Sequence, residues 1–163
     1  MAGGLDLNGD GLDDFAVTAQ DATIDGLSVG AVAVFFGTGR LEMSDADALF
    51  YGWERFSFFG WGLDLMPDTN GDGSAELAIG APDESGGGAA YVFLSPHTGT
   101  HRVDDAVLAL VGEEERDFFG FGIASDDIDG DGLGDLLIGA PFSYRDGDEF
   151  SGVAYVVLGT SWY

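Results

Sequence analysis

The segment "DTNGDGSAELAIGAP" (residues 68–82) alternates oxygen-bearing side chains with other residues and then continues as an apolar run. The oxygen-bearing residues are Asp68, Asn70, Asp72, Ser74 and Glu76. Related segments begin at Asp6, "DLNGDGLDDFAV", and at Asp127, "DIDGDGLGDLLI", at offsets of 62 and 59 residues. Self-similarity at this period predicts a repeated structural unit, and the fold has to be interpreted from that unit.

Four further features recur in the same order as these loops. They are "FFGWG" (58–62) and "FFGFG" (118–122); "IGAP" (79–82 and 138–141); "GAVAVFFG" (30–37), "GAAYVFLS" (88–95) and "GVAYVVLG" (152–159); and "ALFYG" (48–52) and "LALVG" (108–112). Each unit therefore contains four short apolar runs separated by Gly, Asp, Asn and Pro, a pattern typical of strands and turns.

Four strands per unit, repeated radially, predict an all-β fold: a β-propeller of four-stranded antiparallel blades. We expect about three blades in one propeller segment, at residues 1–52, 53–112 and 113–163. The first unit lacks the "FFGxG" segment and the third stops after its third strand, which predicts a partial propeller or half of an oligomeric ring. A β-sandwich with accidental self-similarity is the alternative.

Composition excludes several classes of function. The chain has 163 residues, of which 30 are acidic and five are basic, all Arg, so the formal net charge is −25. Nucleic acid is excluded as a partner because its phosphates would be repelled, and an anionic membrane surface is disfavoured for the same reason. Cysteine is absent, which excludes disulfides and thiolate sites. We expect no membrane insertion and recognise no signal peptide in "MAGGLDLNGDG".

The acidic loops have the residue pattern of a calcium site, since hard cations require six to eight oxygen ligands around one centre. Positions 1, 3, 5 and 9 of each loop supply side-chain oxygens, position 7 a carbonyl, and position 6 is Gly. The predicted ligands are Asp6, Asn8, Asp10, Leu12 and Asp14; Asp68, Asn70, Asp72, Ser74 and Glu76; and Asp127, Asp129, Asp131, Leu133 and Asp135. We therefore expect up to three Ca²⁺ ions per chain, with solvated acidic turns as the alternative.

An EF-hand is disfavoured, because it needs Glu at position 12 and flanking helices. Position 12 is instead Val17, Ile79 or Ile138, each within a strand-like run.

"FFGWG … DTNGDGSAELAIGAP … GAAYVFLS" and its counterpart in the third unit resemble the FG-GAP repeat of integrin α-subunit propellers. The resemblance implies calcium loops in hairpins between the first two strands of each blade. It also implies a Phe-Gly ring packed between blades, at Phe59 and Phe119. Two departures stand out: "VTAQ" (17–20) replaces "IGAP" in the first unit, and Glu76 replaces the family's Asp.

The same resemblance implies a calcium-binding module that acts in adhesion or ligand binding. Its partner would be a protein or a carbohydrate. Its location would be extracellular, on the cell surface or periplasmic. The alternatives are a lectin propeller and the accessory propeller of a secreted hydrolase or polysaccharide lyase.

No residue pattern predicts catalysis, so we expect a non-enzyme without catalytic residues. His97 and His101 are interpreted as exposed loop residues and Glu113–Glu115 as a solvated turn. Trp53, Trp61 and Trp162 are candidates for stacking on sugars, although packing between blades is the commoner role. A propeller segment of three blades also predicts self-association, preferably a head-to-tail homodimer that closes a six-bladed ring.

Overall fold

The structure, a computed structural model, describes residues 1–37, 42–95, 98–143 and 151–159. Its strands are β1 (Ala2–Leu5), β2 (Asp14–Ala19), β3 (Thr23–Ile24), β4 (Leu27–Ser28), β5 (Ala31–Phe35), β6 (Ala48–Tyr51), β7 (Leu63–Met66), β8 (Glu76–Ala81), β9 (Ala89–Phe93), β10 (Gly99–Arg102), β11 (Leu108–Val111), β12 (Gly122–Asp126), β13 (Asp135–Ala140) and β14 (Val153–Val157). Short 3₁₀ turns lie at Met43–Asp45, Glu84–Gly86 and Val103–Asp105. No helix in the described ranges is long and apolar enough to cross a membrane.

The strands form three successive antiparallel sheets, and the all-β prediction is confirmed. The first blade contains β1, β2, β5 and β6, the second β7, β8, β9 and β11, and the third β12, β13 and β14. In each blade the first two strands form a hairpin through one acidic loop. The described strands thus form consecutive blades of a partial β-propeller.

Two elements depart from the repeat pattern. The small hairpin β3–β4 is inserted between β2 and β5, and its turn residues Asp25 and Gly26 both have positive φ, as a type I′ turn requires. Strand β10 belongs to the second unit by sequence but pairs in parallel with β6, at the edge of the first blade. Both elements lie outside the four apolar runs that sequence analysis counted in each unit.

The core consists of two layers, one between each pair of neighbouring blades. Phe59 is 0% exposed and packs between the first and second blades, among Val32 and Ile79. Phe119 is 5% exposed and occupies the same place between the second and third blades, against Val92. The Phe-Gly motif therefore packs between blades, as the resemblance implied.

Glycine allows the close approach of neighbouring blades at this motif. A Cβ atom on Gly80 would lie 2.0 Å from the carbonyl oxygen of Gly120, so no larger residue fits there. In the first blade the corresponding residue is Thr18, within the divergent "VTAQ" segment. The Thr18 hydroxyl donates a hydrogen bond to the carbonyl oxygen of Gly60 at 2.8 Å. The first unit thus replaces a glycine contact with a side-chain hydrogen bond.

Candidate functional site: acidic loops and buried glutamates

The three acidic loops lie side by side along one end of the blades. The backbone N–H of Ala75 donates to the carbonyl oxygen of Asp6 at 3.0 Å, which joins the second loop to the first. Gly134 donates in the same way to Asp68 at 2.9 Å, which joins the third loop to the second. The second and third loops are therefore each hydrogen-bonded to the first acidic residue of the loop before them.

Each loop is wound by its own oxygen-bearing side chains. In the second loop, Asp68 accepts backbone N–H groups that include those of Gly71 at 2.6 Å and Gly73 at 2.7 Å. Asn70 and Asp72 each accept the N–H two residues ahead, both at 2.8 Å. The other two loops repeat this pattern. The alternating sequence thus sets the loop conformation through local hydrogen bonds.

These N–H donors keep the first carboxylate of the first two loops ionised. The bond from Gly11 is the largest influence on Asp6 and holds the pKa of that carboxyl below its usual value. Burial pushes the pKa of Asp68 upward, but the bonds from Gly73 and its neighbours outweigh burial, so the net shift is downward. Asp6 and Asp68 therefore carry a negative charge at neutral pH.

Part of the predicted ligand set converges in two of the loops. One carboxylate oxygen each from Asp68, Asp72 and Glu76 lie within 4.8 Å of one another. The same holds for one oxygen each from Asp127, Asp129 and Asp135. Among the described residues, the acids of the first loop form no such group of three, and Asp131 lies outside the third-loop group.

The remaining predicted ligands lie in the loops but contribute no carboxylate to these groups. The amides of Asn8 and Asn70 donate to the carboxylates of Asp10 and Asp72, at 3.1 and 2.9 Å. Leu12, Ser74 and Leu133 donate their backbone N–H groups to the carboxylate at position 5 of their own loop.

The hydrogen bonds of the acid at position 9 differ between the second loop and the other two. Asp14 accepts N–H groups from Leu7 and Gly37, one on each oxygen, at 2.8 and 2.9 Å. Asp135 is paired in the same way with Ile128 and Gly159. Both of these buried carboxylates therefore have hydrogen-bond donors on both oxygens.

Glu76 is 0% exposed and satisfied on one oxygen alone. Its Oε2 accepts the N–H of Thr69 at 2.7 Å, while Oε1 is buried without a hydrogen-bond partner. Burial raises the pKa of Glu76 to about 7, and the charges of Asp68 and Asp72 add to that increase. A buried carboxylate oxygen that lacks a donor and faces two acids is a site suited to a cation.

The second unit differs from the other two at two positions, position 9 of the loop and the end of the third strand. Where the other loops have Asp at position 9 and Gly at the end of the third strand, the second has Glu76 and Ser95. The Ser95 hydroxyl donates to the carbonyl oxygen of Ala75. The sequence marks Glu76 as a departure from Asp but gives no sign of the contact between Ser95 and Ala75.

A second buried glutamate, Glu84, lies beyond the other end of β8, and sequence analysis did not single it out. It is 4% exposed, and its Oε1 accepts hydrogen bonds from the Tyr91 hydroxyl and from Trp53 Nε1, the latter at 3.2 Å. Its Oε2 is buried without a partner. Burial raises the pKa of Glu84, although the bonds from Tyr91 and Trp53 oppose that shift.

The backbone beside Glu84 has an unusual conformation. Ser85 has a φ of +52°, and its N–H donates to Glu54 Oε2 at 2.8 Å. A non-glycine residue with positive φ is uncommon, so the surrounding contacts must hold this turn in place.

The structure corrects the interpretation of His101 as an exposed loop residue. His101 lies on β10, is half-buried, and its ring stacks on Phe50 with centroids 4.8 Å apart. His97 and Trp162 lie outside the described residues. Trp61 is 41% exposed and packs against Phe58 and Phe121.

Comparison with known proteins identifies the family. The FG-GAP repeat model matches residues 1–35, 59–93 and 119–157. Integrin alpha-PS5 of Drosophila melanogaster is 37% identical over an alignment of 142 residues that covers 83% of this chain and 14% of that protein. Integrin alpha-5 of Xenopus laevis is 34% identical over an alignment of 145 residues that covers 83% of this chain and 14% of that protein.

A phosphatidylinositol-glycan-specific phospholipase D of Dictyostelium discoideum is 28% identical over an alignment of 169 positions, gaps included, that covers 88% of this chain and 18% of that protein. The chain thus spans less than a fifth of the length of each of these three relatives. Three matched repeats on three successive blades, with integrin α subunits among the relatives, lead to one conclusion: the chain belongs to the FG-GAP repeat family and is integrin-α-like.

Proposed function

We propose that the chain is a calcium-stabilised, integrin-α-like propeller module that acts in adhesion or ligand binding outside the cytoplasm. The observation that carries the calcium assignment is the unpartnered Oε1 of Glu76, buried beside Asp68 and Asp72. The adhesive role is supported by the integrin α subunits among the relatives. We place calcium in a structural role, because the loops close strand hairpins.

Each ion would be held by the loop positions named from the sequence. In the second loop these are Asp68, Asn70, Asp72 and Glu76, together with the carbonyl of Ser74. A bound Ca²⁺ supplies the positive charge that offsets the repulsion between these carboxylates. The chain's own contribution is to hold the oxygens in place through the N–H bonds described above.

Calcium in one loop would also support the neighbouring blade. Asp6 presents its side chain to its own loop and its carbonyl oxygen to the N–H of Ala75. Asp68 is shared in the same way with Gly134. An ion that rigidifies one loop therefore stabilises a contact between two blades as well as a single hairpin.

A second candidate function is that of an accessory propeller in a secreted hydrolase. The similarity to a phospholipase D favours it, although that protein's activity is its own. In this case too we propose that the present chain is not catalytic and serves binding or positioning. A phosphodiesterase assay with a fluorogenic substrate tests whether the chain is an enzyme. Phosphodiesterase activity that copurifies with the chain would contradict the proposal that it is not catalytic.

We further propose that the chain self-associates through the outer face of the third blade, with a homodimer as the preferred form. Val92 and Ala90 of the second blade are 0% and 1% exposed beneath the third blade. Their counterparts Val156 and Ala154 are exposed, with Val156 at 53%. A second copy packed head-to-tail would cover this face and close a six-bladed ring. Light scattering on a size-exclusion column tests it, and a stable monomer would contradict it.

Calorimetric titration of the chelator-treated chain with CaCl₂ tests the calcium proposal. We expect saturable binding of up to three ions, with weaker binding of Mg²⁺, because Mg²⁺ demands a stricter octahedral geometry. A folded chain that takes up no calcium would overturn the proposal.

A further inference from the structure

A half-open cavity of about 90 Å³ lies where two elements outside the repeat pattern, the hairpin β3–β4 and strand β10, meet the end of β6. The hairpin β3–β4 contributes Ile24, Asp25 and Leu27, the end of β6 contributes Tyr51 with the adjacent Trp53, and β10 contributes Arg102. The cavity is on the side of the blades away from the acidic loops, because Trp53 bonds to Glu84 beyond the far end of β8. Both elements that depart from the repeat pattern thus converge on one site.

We propose that this cavity is a binding site for a neutral sugar residue of a glycan. The inference rests on the proposed binding function, for which it names the ligand class. The site would use Trp53 as a stacking surface and Arg102 and Asp25 as hydrogen-bonding groups.

Trp53 is fixed in an exposed position. It is 64% exposed, yet its indole N–H donates to Glu84, which the Tyr91 hydroxyl holds in turn. An aromatic ring held in one orientation at the surface offers contact area that loses little further entropy when a ligand binds. The hydrogen bonds from Tyr91 and Trp53 to Glu84 therefore hold the Trp53 ring in position.

The support beneath Trp53 includes a buried group that is incompletely paired. Glu84 is buried with one oxygen unpartnered. The residue that corresponds to Trp53 in the third unit is Glu113, so the indole is not part of the repeat. A buried carboxylate that is incompletely paired and holds an exposed, non-repeated ring points to a functional role for that ring.

Arg102 supplies hydrogen-bond donors at the edge of the cavity. Its Nε donates to the Tyr51 hydroxyl at 2.9 Å, and the guanidinium lies over the Tyr51 ring, 5.1 Å from the centroid. A guanidinium has five N–H donors, and this contact uses one of them. Asp25, in the turn of the β3–β4 hairpin, adds a carboxylate acceptor to the same cavity.

This combination of groups fits a pyranose ring better than it fits an ion. A sugar presents an apolar C–H face for an indole and hydroxyls that both donate and accept, which match Asp25 and Arg102. An anionic ligand would be repelled by a chain of net charge −25, and a cation would be repelled locally by Arg102.

The space around Trp53 fits one terminal sugar and its neighbour. The cavity is large enough for the edge of one ring, with the rest of that ring over the indole. A second cleft, lined by Trp53, Glu54 and Arg55, leaves room for the next sugar residue.

The test is saturation-transfer NMR of the full chain in calcium with a panel of neutral methyl glycosides, methyl glucuronide and a short acidic peptide. We expect at least one neutral glycoside to bind at millimolar concentration. Trp53→Ala should weaken that binding about tenfold, a loss of roughly 1.4 kcal/mol that matches an aromatic contact. Arg102→Gln should weaken it as well. Trp61→Ala, which removes another exposed indole, should leave it unchanged.

Trp53→Phe keeps a ring but loses the N–H bond to Glu84, so it should bind more weakly than the parent and more tightly than Trp53→Ala. The melting temperature of each variant shows that it folds. The inference is overturned if no neutral glycoside binds, if Trp53→Ala binds as well as the parent, or if the glucuronide or the acidic peptide binds instead. The calcium-dependent melting temperature is measured on the same samples. A normal calcium response without sugar binding refutes this inference alone, whereas a lost calcium response refutes the proposed function.

Discussion

The two ends of β8 each hold a buried glutamate with one unpartnered oxygen, but the surroundings differ. Glu76, at the loop end, faces the carboxylates of Asp68 and Asp72. Glu84, beyond the other end, accepts hydrogen bonds from Tyr91 and Trp53. The first environment is suited to a cation, and the second already contains neutral donors that hold an aromatic ring at the surface.

The difference distinguishes a role of the repeated elements from a role of the elements that are not repeated. The acidic loop recurs in every unit and lies in the hairpin that starts each blade, so its role is tied to the stability of the blade. The Glu84 site depends on Trp53, which is not repeated, and borders a cavity that the β3–β4 hairpin and β10 form with the end of β6. We therefore assign stabilisation of the blades to the loop end of β8 and the proposed recognition of a ligand to its other end.

Removal of calcium should give the largest effect and should act on the loop end alone. At about a hundredfold excess of calcium over the dissociation constant, each site stabilises the fold by about 2.7 kcal/mol, or about 8 kcal/mol for three sites. Differential scanning calorimetry with CaCl₂ and with EGTA measures the shift in melting temperature. An identical melt in both conditions would contradict the calcium assignment.

Glu76→Gln should remove one site's share of that response, about 2.7 kcal/mol under the same conditions. It should not destabilise the chelated protein, because it removes a buried charge that has no partner on one oxygen. Asp135→Asn is the matched control: it should destabilise the chelated protein, because Asp135 accepts N–H groups on both oxygens. Melting of both variants in EGTA checks the contrast, and equal losses would refute it.

Glu84→Ala should destabilise the fold by about 2 kcal/mol, because it leaves the Tyr91 hydroxyl and the Trp53 N–H without their acceptor. The calcium-induced shift should stay at its parent value. Urea unfolding with and without calcium measures both quantities. A reduced calcium shift in Glu84→Ala would show that the two ends are coupled and would break the comparison.

A change in pH should have the smallest effect on the unfolding free energy, and it should act through the ionisation of Glu84. Because burial raises the pKa of Glu84 in the fold, the folded chain binds its proton more tightly than the unfolded chain does. This contribution to stability is fully present below the ordinary glutamate pKa and is lost as pH rises through the raised value. The difference in unfolding free energy between the parent and Glu84→Gln, measured in calcium, should therefore vary with pH across that window. A constant difference would contradict the assignment.

The repeat pattern was sufficient to predict much of the fold. Four apolar runs per unit, separated by turn residues, predicted all-β blades, and the resemblance carried by "FFGWG" and "FFGFG" implied the rings now found between the blades. Such features are local or periodic, so they can be read along the chain. Alternation of oxygen-bearing residues likewise located the acidic loops, because the hydrogen bonds that wind each loop join residues at most five positions apart.

Only the tertiary structure decided which carboxylates are satisfied and which elements meet. Asp135 accepts an N–H on each oxygen, one of them from Gly159 beyond the end of β14, whereas Glu76 has a buried oxygen without a partner. The cavity beside Trp53 joins residues as far apart as Ile24 and Arg102, and it exists because β10 pairs with β6 of the first blade. Repetition and local hydrogen bonding are properties of neighbouring residues, whereas burial and an unpaired oxygen depend on contacts between distant segments, which form only when the blades pack together.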